Sequence, residues 1–299
     1  MFITNATYQI TVPNKVNTLD DQTYTIKTAA SAPSTVIAYH VSLDGLGVPD
    51  PKRRFTAYPV TDGGIDTGFR LQPRQLTWTM FLNETTEAAF DAAKDQLCRV
   101  FMPLDRPHTL KVTTPSGATR YLSVYVNGAL DIDQRNQEGC TAIVRVPLYA
   151  PDPIFYDPTQ LTHTINPTAS PASSSIMYAG TWHSWPVVKL TGSMTNAVLT
   201  LRVVNAAGDW YYYIDFSGHT IPAGDIYTID LAPGRKTAKN NAGASVLNYC
   251  ANIGSLAQWR LWAYPIEAAS GQNYVDLTYT AKTAAAKVEV LYYNRYIAL

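Results

Sequence analysis

The chain has 299 residues, of which 46% are hydrophobic and only 15% charged, and its 23 basic residues balance 23 acidic ones. That length allows two domains or one large β domain. The neutral balance leaves no cationic surplus for wrapping nucleic acid along its phosphates, and no apolar run approaches the roughly 20 residues of a membrane helix.

Charged residues make up roughly 25% of an average soluble domain. A surface this poor in charge is weakly protected against association, so much of it is expected to be shared with partners. In chain order, "TYQITV", "DQTYTIKTA" and "STVIAYHVSL" read as strands, being β-branched and aromatic with period-two stretches. "LGVPDPKRR" and "VTDGGIDTG" break the pattern with Pro, Gly and Asp and predict loops or turns. Phe69 to Leu82 then predicts a long strand that puts Leu76, Trp78, Met80 and Leu82 on one face. One helix is predicted over 83–101, with Asn83 or a nearby Thr as N-cap. Its Phe90, Ala93, Leu97 and Phe101 form a single apolar stripe. "TPSGATR" predicts a hairpin turn between the next two strands. Pro147, Pro151, Pro153 and Pro158 are expected to mark the exit from the sheet, since Pro removes ladder donors.

Residues 159–179 are small and polar with two Pro, and predict a linker or strap. From Gly180 the β pattern returns in "WPVVKLTG", "AVLTLRVV", "DWYYYIDF", "DIYTIDLAPG", "YVDLTYT" and "KVEVLYYNRYIAL". Short strands in series without a strong helix indicate a sandwich or jelly roll. In the closing segment, Val288, Val290 and Tyr292 are expected to face a core. Leu291, Tyr293, Ile297 and Leu299 point the other way, and a second cover is expected for them.

The chemistry-bearing signatures are missing. No GxSxG elbow, HExxH or GxxxxGK occurs. The five His are scattered without a second ligand type at metal spacing, so no catalytic, metal or cofactor site is expected. Asp209 with Asp215, and Asp225 with Asp230, are the acidic pairs closest to the two-carboxylate pattern of glycosidases, but acids at turns and strand ends are common. Cys98, Cys140 and Cys250 are odd in number and far apart, which predicts buried free thiols rather than a disulfide framework. Trp182, Trp210 and Tyr211 are the candidate carbohydrate-binding residues, because aromatic faces stack on sugars. In "DWYYYIDF", Trp210 and Tyr212 would share one face and Tyr211 and Tyr213 the other. The competing expectation is a strand packed on both faces.

Four stretches carry a resemblance in their order. They are "GGIDTGFRLQPRQLTWTMFL", "LCRVFMPLDRPHTLKVTTPSGATRYLSVYV", "VRVPLYAPDPIFYDP", and a C-terminal half running from "WPVVKLTG" through "IYTIDLAPG" to "VEVLYYNRYIAL". Together they resemble the distal tail proteins of long-tailed, non-contractile bacteriophages (siphovirus type). The resemblance implies a mainly β fold in two domains. Residues 1–158 would be a ring-forming, tail-tube-like sandwich with one packed helix, 159–179 a linker, and 180–299 a galectin-like β-sandwich. It further implies a virion structural protein at the tail tip, assembled in the host bacterial cytoplasm as a homo-oligomeric, commonly hexameric, ring. Its partners would be the tail tube protein, the baseplate hub or tail-associated protein, and tail fibres or a receptor-binding protein. DNA would pass the lumen without specific binding. The alternatives that remain open are a carbohydrate-binding host-adhesion module and another tail hub or tube component.

Overall fold

A computed structural model describes residues 6–13, 21–27, 36–58, 62, 64–133, 139–204, 208–263 and 272–299. The chain divides into two compact units, Met1–Pro158 with Ile297–Leu299, and Thr159–Tyr296. In the first unit the strands are β1 (Thr7–Val12), β2 (Gln22–Lys27), β3 (Val36–Asp44), β4 (Pro51–Ala57), β5 (Gly64–Leu71) and β6 (Arg74–Asn83). After helix α1 (Glu87–Val100) come β7 (His108–Thr113), β8 (Thr119–Val126), β9 (Asp131–Asp133), β10 (Thr141–Ala150) and β11 (Phe155–Tyr156).

The main sheet runs β11-β8-β7-β1-β2-β3-β6-β10-β9, and a short β10–β8 pairing curls it back on itself. The inner face is built by alternation. Leu76, Trp78, Met80 and Leu82 of β6 are all buried, as the sequence predicts. Trp78 donates through Nε1 to His40 Nδ1 at 3.1 Å, and the His40 ring stacks on Tyr8. α1 packs on β3 and β6. Thr86 caps it by accepting from the Ala89 N–H, and its stripe of Phe90, Ala93, Leu97 and Val100 is buried. Each large side chain in that stripe contributes roughly 1.5–3 kcal/mol through burial. His108, fully buried, reaches the Val100 carbonyl at 3.0 Å and ties down the helix end.

Three expectations about this unit are corrected. Pro147 does not mark an exit: it lies inside β10, between the β9 pairing that ends at Arg145 and the β8 pairing that begins at Leu148. No ladder partner there requires its missing N–H. The Pro-, Gly- and Asp-rich stretches around 51–71 are not mere loops, because β4 and β5 pair there as a two-stranded sheet of their own. Ile297–Leu299 group with the first unit and not with the second. The turn at Thr114–Ala118 does form, with the Thr114 N–H donating to the Ala118 carbonyl at 2.8 Å.

Arg74, at the start of β6, is 3% exposed. Its guanidinium donates to the carbonyls of Pro153 and Ile297, both at 2.9 Å, and to those of Gly45 and Gly47. It also lies 4.8 Å from the Phe155 ring centroid. Burial draws its pKa down to about 10, still far above neutral, so the group stays a cation. Gly45 has φ 94°, and a Cβ there would sit 2.3 Å from the Gln75 carbonyl oxygen, so only Gly allows this approach.

In the second unit, β12 (Leu161–Ile165), β13 (Ala172–Met177), β14 (Val187–Thr191), β15 (Met194–Thr195), β16 (Val198–Val203) and β17 (Trp210–Asp215) come first. Then follow β18 (Thr220–Ile221), β19 (Ile226–Asp230), β20 (Thr237–Lys239), β21 (Gln272–Thr278), β22 (Ala281–Lys282) and β23 (Lys287–Tyr292). A five-stranded sheet, β12-β23-β14-β19-β20, faces a four-stranded one, β13-β21-β16-β17. Val188, Ile229, Val288 and Val290 from the first meet Leu199, Leu201, Ile214 and Val275 from the second in one core. This is a β-sandwich, with β15, β18 and β22 forming a small third sheet.

The expected linker over 159–179 is corrected: β12 and β13 occupy most of it and form one edge strand of each sheet. Val288, Val290 and Tyr292 face the core as expected. Of the residues pointing the other way, Leu291, Ile297 and Leu299 are half-buried and Tyr293 is 37% exposed in the single chain. Only Cys250 of the three free thiols is buried; Cys140 is half-buried and Cys98 exposed on α1.

Replacing Arg74 by Met should leave four backbone carbonyls without their common donor, two of them at the exposed Gly45 and Gly47, and cost about 2–4 kcal/mol. Thermal unfolding should show that loss in the first unit's transition. Arg74→Lys should recover little of it, because an ammonium cannot span the fork; full stability in either variant would show the cluster to be dispensable.

Candidate functional site

The described residues contain no group of three or more His, Cys, Asp or Glu that could hold a metal ion. The acidic pairs considered in the sequence serve local structure. Asp209 pairs with Arg202 at 3.3 Å, Asp215 accepts from the Ser217 N–H at 2.8 Å, and Asp230 accepts from the Ala232 N–H at 2.9 Å. The features that do invite function are two uncovered β surfaces.

The first is the β4–β5 hairpin. Its base is closed by the Gln72 N–H donating to the Asp50 carbonyl at 2.8 Å. From there both strands are exposed on both faces: Phe55 is 67% exposed, Ile65 55% and Phe69 52%. A bulge between Arg54 and Phe55 skips Thr67, so the register runs Lys52↔Arg70, Arg53↔Phe69, Arg54↔Gly68, Phe55↔Asp66 and Thr56↔Ile65. Cross-strand partners share a face. One face therefore carries Arg53, Phe55, Asp66 and Phe69, with Arg53 ion-paired to Asp66 and 6.0 Å from the Phe69 ring centroid. The other carries Lys52, Arg54, Arg70 and Ile65. An isolated two-stranded hairpin is marginal in water, and large exposed apolar side chains on one mark an interaction surface.

The second surface is the outer face of the four-stranded sheet. Tyr211 and Tyr213 of β17 are 48% and 37% exposed. On the same face Arg202 lies 4.2 Å from the Tyr274 ring centroid, between Asp209 and Asp276 at 3.3 and 3.8 Å. The expectation that this strand is packed on both faces is thus overturned for the Tyr211 side.

The three residues singled out in the sequence do not make one platform. Trp210 lies on the opposite face of β17, where it meets Trp262 at 5.0 Å and Tyr212 stacks on the same ring at 6.3 Å. Trp182 joins that aromatic run through His183, which sits 4.6 Å from Trp182, 4.5 Å from Trp185 and 6.5 Å from Trp262. The Trp182 backbone is fixed at both ends. Its N–H donates to the Arg295 carbonyl at 3.0 Å, and its carbonyl accepts from the buried Tyr178 hydroxyl. Trp182 and Trp210 are therefore half-buried packing elements, and Tyr211 alone is displayed. Period two separates these faces correctly; Arg202 and Tyr274 are not legible beside Tyr211 and Tyr213, because cross-strand register joins them and β21 lies some sixty residues further on.

Burial, reinforced by the cations Arg260 and Arg295, pushes the His183 pKa down to about 3. The ring is neutral at physiological pH.

No protein-family model matches the chain, and no curated protein matches it in sequence. Among solved structures it is similar to SPP1 Dit (gp 19.1), described as a paradigm of hub adsorption apparatus in Gram-positive infecting phages. The TM-score is 0.58 with 13% identity, over 85% of this chain and 92% of that chain. The two share a fold. The phage p2 baseplate in its activated conformation, with Sr or with Ca, gives TM-scores of 0.40 and 0.39 at 9% identity, too low to bear on the architecture.

In the unfolded chain His183 takes a proton near pH 6.5, whereas in the fold it resists one down to about 3. Stability should therefore fall as pH drops through that window. His40, His108, His163 and His219 shift in the same direction. His183→Asn should thus reduce the acid slope of stability by up to about one proton without abolishing it, as read from denaturant melts between pH 7 and pH 4. An unchanged slope would remove His183 from the account.

Proposed function

We propose that this chain is a structural subunit of a phage tail tip, of the distal-tail type, whose first unit assembles into a ring of like copies. The observation that carries the reading is the β4–β5 arm: a hairpin uncovered on both faces, with Phe55, Ile65 and Phe69 in solvent, is marginal by itself and marks an interaction surface. A closed ring supplies that cover, since it sets one patch of each copy against a different patch of the next. The fold shared with the SPP1 hub protein supports the same role, as does the scarcity of charge. On this reading the ring is a hexamer joining the tail tube to the baseplate hub and its fibres or receptor-binding protein. DNA passes through it without specific binding. The subunit has no catalytic role, and it assembles in the host cytoplasm before residing in the virion.

A second reading concerns the second unit alone. Tyr211 and Tyr213, displayed beside the Arg202–Asp209–Asp276 ion network, offer ring faces and fixed polar groups of the kind that hold a saccharide.

Phe55→Ser with Phe69→Ser should leave thermal stability nearly unchanged, because both side chains are exposed. The same pair should shift the protein from rings to monomers in light scattering and electron microscopy. Rings that persist in the double variant, or a wild-type chain that stays monomeric at high concentration and is missing from tails, would overturn the ring. For the saccharide reading, Tyr211→Ala should lower retention on a glycan array by about tenfold, one good stacking contact being worth roughly 1–1.5 kcal/mol. Trp210→Ala should act through stability instead; an array without hits for the wild type ends that reading.

A further inference from the structure

We propose that the cationic face of the β4–β5 arm seats on the acidic stripe of α1 in a second copy of this chain. The proposal rests on the ring reading and adds which two surfaces meet.

Lys52 and Arg70 lie directly across from each other on the arm, with Arg54 one pair along. Like charges set opposite on a sheet repel. Within β4 and β5 that face carries no acid, its remaining members being Thr56, Ile65 and Gly68; the exposed Asp50, two residues before Lys52, lies at its base. Asp66, the one acid of the two strands, belongs to the other face and is held by Arg53. Three cations and one exposed Ile thus form a face that calls for an acidic partner with an apolar recess.

α1 presents that combination. Glu87, Asp91 and Asp95 recur every four residues along its solvent side, and all three are exposed. Lys94 holds Asp91 at 2.8 Å, which tempers the stripe without removing it. Beside Asp95 opens a groove of about 570 Å³ walled by Val12, Tyr24, Ala92, Gln96 and Arg99. Val12, Tyr24, Ala92 and Val100 in its mixed lining can meet Ile65, beside Gln22 and Arg99, while the acids meet Lys52, Arg54 and Arg70. In the chain itself the arm strands pair only with each other, and α1 packs through its other side on β3 and β6. Arm and stripe are different patches of one unit, which is what a closed ring of identical copies requires. The complementary charges fix register and steer the encounter more than they add affinity.

Cys98 lies seven residues after Asp91 and is exposed, so the stripe carries its own probe. In the full chain with Lys52→Cys and Cys140→Ser, a short bismaleimide added to assembled rings should give a ladder of covalent multimers, absent when Cys98→Ser is added. Lys52→Glu with Arg70→Glu should raise the protein concentration needed for rings by about tenfold or more, an electrostatic loss of at least about 1.4 kcal/mol. Glu87→Lys with Asp95→Lys, introduced into the same chain, should restore assembly, which a folding defect would not allow. Rings that form, fail to cross-link and survive the charge reversal overturn the docking and leave the ring reading standing. A chain that never forms rings overturns both. Rings that survive reversal but lose salt-dependent retention of double-stranded DNA place the cationic face on DNA instead, and overturn the docking too.

Discussion

A buried cation with no acidic partner among the described residues ties together four segments of the first unit. Arg74 gathers the carbonyls of Gly45, Gly47, Pro153 and Ile297 and rests against Phe155. Gly45 and Gly47 lie just before the arm, and Arg74 lies just after it, so the guanidinium clamps the entrance of the hairpin to its exit. The remaining contacts draw in the segment that leaves β10 and the last residues of the chain. Burying such a charge is tolerated only because its donors are met, and each acceptor is a fixed backbone group. An arm exposed on both faces keeps its aim because its root is held in this way.

The two units divide the available apolar surface differently. The sandwich of the second unit closes its core from two sheets and leaves one outer face decorated with Tyr and paired ions. The first unit curls its main sheet, packs one helix against it, and then extends a hairpin that its own chain leaves bare. Nothing in the sandwich's ion network or aromatic run resembles a reacting centre. His183 is kept neutral by burial, with its cationic neighbours adding to it, and Asp209, Asp215 and Asp230 serve Arg202 and turns.

How legible these parts are in the sequence follows from which side chains are buried. β6 and α1 are plain, because Leu76 to Leu82 and Phe90 to Leu97 carry the two periods that burial imposes. β4 and β5 are hidden because a strand exposed on both faces has no apolar alternation, and its Gly, Asp and Pro read as turns. β12 and β13 are hidden for a related reason. Both are edge strands, and edges are made of small and polar residues that blunt further pairing. Their "THT" and "SSS" runs look like a linker until a neighbouring strand is supplied. The faces of Trp210 and Tyr211 follow from sequence alone. Which face is covered depends on Trp262, some fifty residues away in a segment with no strand pattern.

The bulge opposite Thr67 acts as a phase shift in the charge pattern of the arm. With regular pairing, Asp66 would oppose Thr56, and Ile65 would oppose Ala57. The acid would then fall among Lys52, Arg54 and Arg70, and Arg53 would be left on its face without a counter-ion. One unpaired residue exchanges Asp66 and Ile65 between faces. It sorts four cations and one acid into a side where Arg53 and Asp66 cancel among aromatics and a side to which the two strands bring only cations. The polarity of this arm is thus written in its register as much as in its residues. Deleting Thr67 would leave the same partners in a regular ladder and keep the sorting, whereas pairing it would scramble the faces with every charged residue still in place.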